Sequence, residues 1–207
     1  MSDSSSQQSI CDLPSASAIL VAEDEHLVAE TLRAELEKLG YQVMGPVPNG
    51  QAAIEHARES RPNMALLDIR MPGVDGIEAA RHLYEEFDVP VVILSAYSEQ
   101  RDLEQLQAAG VFGYLLKPVS SDCLRVTLNV AWSRYLEVKK LSGKVKNLED
   151  KLENRKIIER AKGILQQSLG VTEAEAMRRL QRQSRDARRP MVELAKALVD
   201  SQELLDS

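Results

Sequence analysis

Aromatic side chains make up only 4% of the 207 residues, cysteine occurs twice, and no apolar run approaches the roughly 20 residues that a membrane-crossing helix requires. The scarcity of long apolar runs points to a soluble, cytoplasmic chain with no membrane contact. Cys11 and Cys123 stand alone, with no CxxC or Cys/His spacing, which excludes a thiolate metal site and a disulfide framework as organising features. His26, His56 and His82 fall in expected helices without a ligand partner at useful spacing, and are expected to be structural or solvated. Residues 1–17, rich in Ser and Gln, lack the basic and apolar regions of a signal peptide and are expected to form a disordered tail.

What is present is charge, and it is unevenly placed. The formal net charge is −6, yet residues 154–207 hold 11 Lys/Arg against 8 Asp/Glu, so the acidic excess belongs wholly to the first 153 residues. An acidic total therefore does not argue against a polyanionic partner for the C-terminal end.

Between Ala18 and Pro118, short apolar runs alternate with helical patterns. The runs are AILVA (18–22), YQVMG (41–45), MALLD (64–68), VVILS (91–95) and GYLLK (113–117). Apolar on successive residues, they suit strands buried on both faces of a parallel sheet. The segments His26–Leu39, Gly50–Ser60, Asp75–Phe87 and Ser98–Ala109 place apolar residues three and four apart, as helices do. The alternation predicts an α/β, doubly wound, five-stranded parallel sheet over residues 18–132, with Ser120 or Ser121 capping a fifth helix.

Ligands gather at the carboxyl ends of the strands in such a sheet. The first strand here ends in Glu23 and Asp24, the third in Asp68, the fourth in Ser95 and the fifth in Lys117. Converging carboxylates repel unless a cation compensates, and a small set of hard oxygens suits Mg²⁺. With Mg²⁺ offsetting its charge, a phosphoryl group can be attacked by Asp68, while Lys117 and Ser95 contact its oxygens. The motifs EDE (23–25), LLDIRMPGVDG (66–76), LSAYS (94–98) and YLLKP (114–118) resemble the receiver domain of two-component response regulators. That resemblance implies a flavodoxin-like fold and a sensor histidine kinase as phosphodonor to Asp68. It further implies Mg²⁺ held by Glu23, Asp24, Asp68 and the backbone carbonyl of Arg70, with Ser95 and Tyr114 as conformational switches. Glu23 stands where Asp is commoner, and Ser95 where Thr is; both substitutions keep the functional group.

From Asp122 onward no strand-like run appears, so residues 133–202 are expected to be a helical output region. Val138, Leu141, Val145, Leu148 and Leu152 recur at alternating steps of three and four, the a and d positions of a coiled coil over about 134–156. Lys139, Lys140, Lys144, Lys146, Glu149, Asp150, Lys151 and Glu153 give it a charged exterior. One amphipathic helix lying on its own domain is the alternative. Three helical stretches are expected in the output segment: one running from the coil through about Gln167 and stopping at Leu169-Gly170, one capped by Thr172, and one starting near Pro190, sharing a small core that includes Ile157, Ala161, Ile164, Leu180 and Leu198.

The polar faces of this region carry Arg155, Lys156, Arg160, Lys162, Arg178, Arg179, Arg182, Arg185, Arg188 and Arg189. Arginine's planar fork contacts phosphate bidentately and stacks on bases, which suits RNA. No aromatic follows Tyr135, so stacking on rings is excluded. The segments NRKIIERAKGIL (154–165), GVTEAEAMRRL (170–180) and PMVELAKALV (190–199) resemble the ANTAR domain, expected over about 141–202. Gln166, Met177 and Ser184 depart from its commoner residues. The resemblance implies binding to RNA stem-loops and transcription antitermination by a homodimer. A DNA-binding or protein-interaction output remains the alternative; an enzymatic one is not expected, since residues 126–207 hold no His, Cys or phosphate loop.

Overall fold

A computed structural model describes residues 12–96 and 109–205. Its elements, in chain order, are β1 (Ala18–Ala22), α1 (His26–Lys38), β2 (Gln42–Val47), α2 (Gly50–Ser60), β3 (Met64–Asp68), α3 (Gly76–Phe87), β4 (Val91–Ser95), β5 (Val111–Leu116), α4 (Ser121–Leu169), α5 (Glu173–Ala187) and α6 (Met191–Leu205). The helix expected at Ser98–Ala109 lies outside the described residues, save for Ala109. The chain divides into two compact units, Met1–Lys139 and Lys140–Ser207.

In the first unit all strands run parallel in the order β2-β1-β3-β4-β5. Strand parity sorts the apolar residues into two layers. Leu20, Ala22, Ala65, Leu67 and Ile93 face the core shared with α2 and α3, while Ile19, Val21, Leu66, Val92 and Leu94 face the one shared with α1 and α4. Burial on both faces explains why these runs read as continuous apolar stretches without alternation. Reversal of chain order beside β1 puts the crevice at the carboxyl ends of β1 and β3.

Punctuation follows local chemistry. Asp75 caps α3, its Oδ1 accepting from the Ile77 and Glu78 N–H groups at 2.9 and 2.8 Å. Gly110 has φ +75°, and a Cβ there would lie 2.2 Å from Tyr84 Cβ, so only glycine fits.

Two boundaries differ from the sequence-based expectation. Residues 12–17 belong to the folded unit and not to a disordered tail: Leu13 is buried in the α1/α4 layer, and its N–H donates to Asn129 Oδ1 at 3.0 Å. One leucine and one backbone donor tie the segment down, a signal too small to stand out in a Ser-rich stretch. The domain end expected at residue 132 falls within α4, and the compact unit runs on to Lys139. Tyr135 donates from Oη to the Asp88 carbonyl at 3.0 Å, Lys139 pairs with the Asp88 carboxylate, and Phe112 and Trp132 flank the Tyr135 ring at 5.6 and 5.4 Å.

In the second unit, the coil segment and the first output helix are one uninterrupted helix, the distal part of α4. Thr172 and Glu175 form a reciprocal capping box on α5, with the Thr172 N–H donating to Glu175 at 3.0 Å. The core gathers Ala161, Leu180, Ala195 and Val199, with Ile157, Ile158, Ile164, Leu165, Met191 and Leu198 packed against it. Among the described residues, no helix is long and apolar enough to cross a membrane.

Candidate functional site

The ends of β1, β3 and β5 bring an acidic cluster and one ammonium together. Glu23, Asp24 and Asp68 each offer a carboxylate oxygen within 4.8 Å of the others'. Lys117 Nζ lies 2.7 Å from Glu23 Oε2 and 3.2 Å from Asp68 Oδ1. Glu23 and Asp68 are buried, Asp24 is exposed, and Lys117 is half-buried, so the cluster has a dry floor and a wet rim.

Burial pushes both the Glu23 and Asp68 carboxyls above the ordinary range, Lys117 opposing this in each case. Burial pulls the Lys117 ammonium down, but Glu23 and Asp68 outweigh it and the net shift is upward. Glu23 Oε2 is fully buried and has no hydrogen bond of good geometry, although Lys117 Nζ is its near neighbour. Lys117 Nζ supplies Coulomb attraction to this oxygen, and a carboxylate oxygen has more than one lone pair to offer. The donor set is wholly oxygen, partly desolvated and under-compensated, and it fits a hard divalent cation.

Ser95 is buried at the end of β4, where Oγ donates to the Ala96 carbonyl at 3.0 Å and the Ser95 carbonyl accepts from the Lys117 N–H at 2.9 Å. Tyr114 is half-buried and packs against the α2/α3 layer. Arg70 is exposed and lines an open depression of about 540 Å³ with Asp24, Ile69, Met71, Pro72 and Asp75. Gly76 escaped the residue-by-residue reading. A Cβ there would lie 2.0 Å from the Asp68 carbonyl oxygen, so the start of α3 packs directly on the backbone of the buried aspartate. Within LLDIRMPGVDG this glycine looks like one more loop residue, and only its close approach to the Asp68 backbone sets it apart.

The basic residues of the second unit do not converge. Arg155, Lys156, Arg160, Arg178, Arg179, Arg182, Arg185, Arg188 and Arg189 are all exposed. On α5, Arg178, Arg182 and Arg185 share one face, opposite the buried Ala176 and Leu180. Lys162 departs from the expected surface set: it is 7% exposed, with Nζ 2.7 Å from Glu159 and 2.6 Å from Glu173. The polar-face pattern misled because Lys162 adjoins the α4 core stripe and its stem crosses to the N-terminus of α5.

The seam residues Val138, Leu141, Val145, Leu148 and Leu152 are between 39% and 64% exposed, so no other part of the described chain covers them. At 3.6 residues per turn, Leu141 to Leu152 lie about half a turn from the core stripe Ile157 to Leu165 on the same helix. That offset leaves the seam free of the unit's own core.

Comparison with known proteins agrees with this division. The response regulator receiver domain matches residues 19–129, and the ANTAR domain matches residues 146–199. The transcriptional regulatory protein PdtaR of Mycobacterium tuberculosis is 37% identical over 88% of this chain and 89% of its own length. The transcriptional regulatory protein YdfI of Bacillus subtilis is 34% identical over 55% of this chain and 54% of its own, a match confined to part of each. Among solved structures, a receiver domain of a diguanylate cyclase from Desulfovibrio desulfuricans G20 superposes with a TM-score of 0.51 at 37% identity, covering 57% of this chain and 95% of that one. The N-terminal domain of a three-domain response regulator from Carboxydothermus hydrogenoformans gives 0.53 at 30%, covering 58% and 97%. With an acidic pocket on a doubly wound sheet, matched family domains in both units and a relative similar over most of its length, the chain belongs to the two-component response regulators that join a receiver to an ANTAR output domain.

Proposed function

We propose that Asp68 accepts a phosphoryl group from a sensor histidine kinase, and that the modified chain pairs through α4 and binds RNA stem-loops, causing transcription antitermination in the cytoplasm. The observation that carries this reading is the buried Asp68 carboxylate, held 3.2 Å from Lys117 beside Glu23 and Asp24, in a chain whose other end is an ANTAR domain.

Glu23, Asp24, Asp68 and the Arg70 carbonyl would hold Mg²⁺, which supplies charge neutralisation for phosphoryl oxygens and carboxylates alike. An Asp68 oxygen forms the new bond to phosphorus as the phosphorus–nitrogen bond of the donor histidine breaks, and the imidazole leaves with the electron pair and takes a proton. Lys117 then moves its attraction from Asp68 to the phosphoryl oxygens, and Ser95 donates to one of them. Ser95 and Tyr114, on adjacent strands β4 and β5, carry the change outward. The chain itself is a regulator and not an enzyme with its own output reaction.

Pairing is supported by the exposed seam. Each leucine removed from water contributes roughly 1.5–3 kcal/mol, enough in sum to oppose the entropy of association. Arginine surfaces on two output units then engage two hairpins at raised effective concentration. Incubation with a small phosphodonor such as acetyl phosphate tests the first step: the wild type should acquire an acid-stable, base-labile acyl phosphate and Asp68→Asn none. Full labelling of the variant would overturn the assignment.

A further inference from the structure

The surface of α4 between residues 140 and 155 carries a separation of charge that neither the seam nor the core requires. Lys140, Lys144, Lys151 and Arg155 are all exposed, and steps of 4, 7 and 4 residues put them on one helix face. At about 1.5 Å per residue they form a line about 22 Å long. Of the acids in the same stretch, Glu149 and Glu153 fall on the opposite face and Asp150 on the flank, with Lys146 among them. Among the described residues none of these four cations forms an ion pair, whereas neighbouring Lys156 pairs with Glu153 and Lys162 with Glu159 and Glu173.

A shallow depression of about 470 Å³ interrupts the line, bounded by Lys140, Gly143, Lys144, Asn147 and Leu148. Gly143 creates it. A Cβ at that position would meet nothing within 4 Å, so no internal packing requires glycine in a helix interior that it disfavours. Like charges one turn apart also weaken the free helix. The opposite side of this helix intersperses both signs, as a merely solubilising surface does, with Lys146 between Asp150 and Glu153; the face of Lys140, Lys144, Lys151 and Arg155 holds cations alone within this stretch.

We infer that this stripe is a second nucleic-acid contact, in which Lys140, Lys144, Lys151 and Arg155 follow the phosphate backbone of the RNA and Gly143 and Asn147 let it approach the helix. The inference rests on the RNA-binding reading, which already includes Arg155, and extends it back along α4 through Lys151 and Lys144 to Lys140. With no aromatic and no carboxylate in the line, it contacts backbone and does not read bases. Lys140, Lys144 and Lys151 lie about a quarter turn from the seam, so pairing leaves them accessible, whereas Arg155 continues the seam's own spacing after Leu152. In a parallel pair Lys144 also faces Glu149 of the second copy, an attraction its removal would lose, whereas Lys151 faces Lys156 and its removal loses no pairing contact, so Lys140 and Lys151 are the informative positions.

The experiment uses the full phosphorylated chain and a synthetic RNA of two hairpins, with binding measured over a range of salt. Lys140→Gln with Lys151→Gln should reduce the log-log salt slope by roughly 1.4 to 1.8, two phosphates' worth, and weaken binding about tenfold at low salt. Circular dichroism and sedimentation should be unchanged, which separates lost contacts from lost folding or pairing. An unchanged slope in this variant, while Arg178→Ala with Arg182→Ala still weakens binding, overturns the stripe and leaves the RNA reading standing. Failure of the wild type to bind the RNA overturns both. If the Gln pair weakens capture of polyglutamate but not of RNA, the stripe serves an acidic protein and the inference falls.

Discussion

The two units use charge in opposite ways. In the receiver, Glu23, Asp68 and Lys117 are drawn from three strands into a partly dry cluster where each shifts the others' protonation. In the output unit, cations are spread along helices in water, and the one that is buried, Lys162, is neutralised within the unit. A buried cluster makes single residues decisive, because low dielectric magnifies each interaction. An exposed array distributes its effect, because each contact is screened and replaceable. The receiver should therefore respond to substitution in steps and the output unit by increments.

The largest contrast is expected from metal removal. Chelation of divalent ions should abolish labelling by a small phosphodonor, since the Glu23, Asp24 and Asp68 carboxylates would then repel it; RNA binding by the unmodified chain should be indifferent. Undiminished labelling under chelation would remove the metal from the account. Next comes the seam. Replacing Leu141, Leu148 and Leu152 by Ser should eliminate association at micromolar concentration, at roughly 1.5–3 kcal/mol per leucine, with phosphorylation intact. Sedimentation that shows no change would assign these leucines to some other role.

Smaller, and graded, is the arginine face. Arg178→Ala with Arg182→Ala should weaken hairpin binding by about 1–3 kcal/mol without loss of fold, because both side chains lie on the solvent face of α5. A collapse of helicity would instead make them structural. Smallest is a gain in stability. Folding raises the Asp68 and Glu23 pKa values, so between the ordinary and raised values the native state binds more protons than the unfolded one, and stability falls as pH rises through that window. Asp68→Asn removes one of these buried charges and should stabilise the metal-free chain at neutral pH by about 1 kcal/mol, about 2–4 °C in Tm. A lower Tm would show that the Lys117 contact outweighs the cost of burial.

The sheet was legible because its central strands β1, β3 and β4 are buried on both faces, which writes an unbroken apolar run. The pocket was legible because strand ends are where such a sheet collects its ligands. Less could be read where the determinant is a single close contact or a crossing side chain. Nothing local distinguishes Gly76 from a turn glycine until the Asp68 carbonyl is placed against it, nor Lys162 from its exposed neighbours until α5 packs beside it. The run of the coil into the first output helix was legible, but the crossing of the expected boundary at residue 132 by the same helix, α4, was not, for another reason. Its apolar stripe faces the sheet at Leu124, Leu128, Ala131 and Tyr135, becomes the seam, and then turns to the output core at Ala161, so successive stretches bury different faces of one helix. A stripe that changes face reads as a boundary, here placed at residue 132 within the helix.

The central claim is that phosphorylation at Asp68 governs RNA binding through pairing. Its most direct test is the affinity of the full chain for an RNA with two hairpins against one with a single hairpin, each with and without phosphodonor. The account predicts that phosphodonor strengthens binding to the two-hairpin RNA by at least tenfold while changing one-hairpin affinity little, the gain arising from effective concentration. Equal affinities in all four conditions would contradict it.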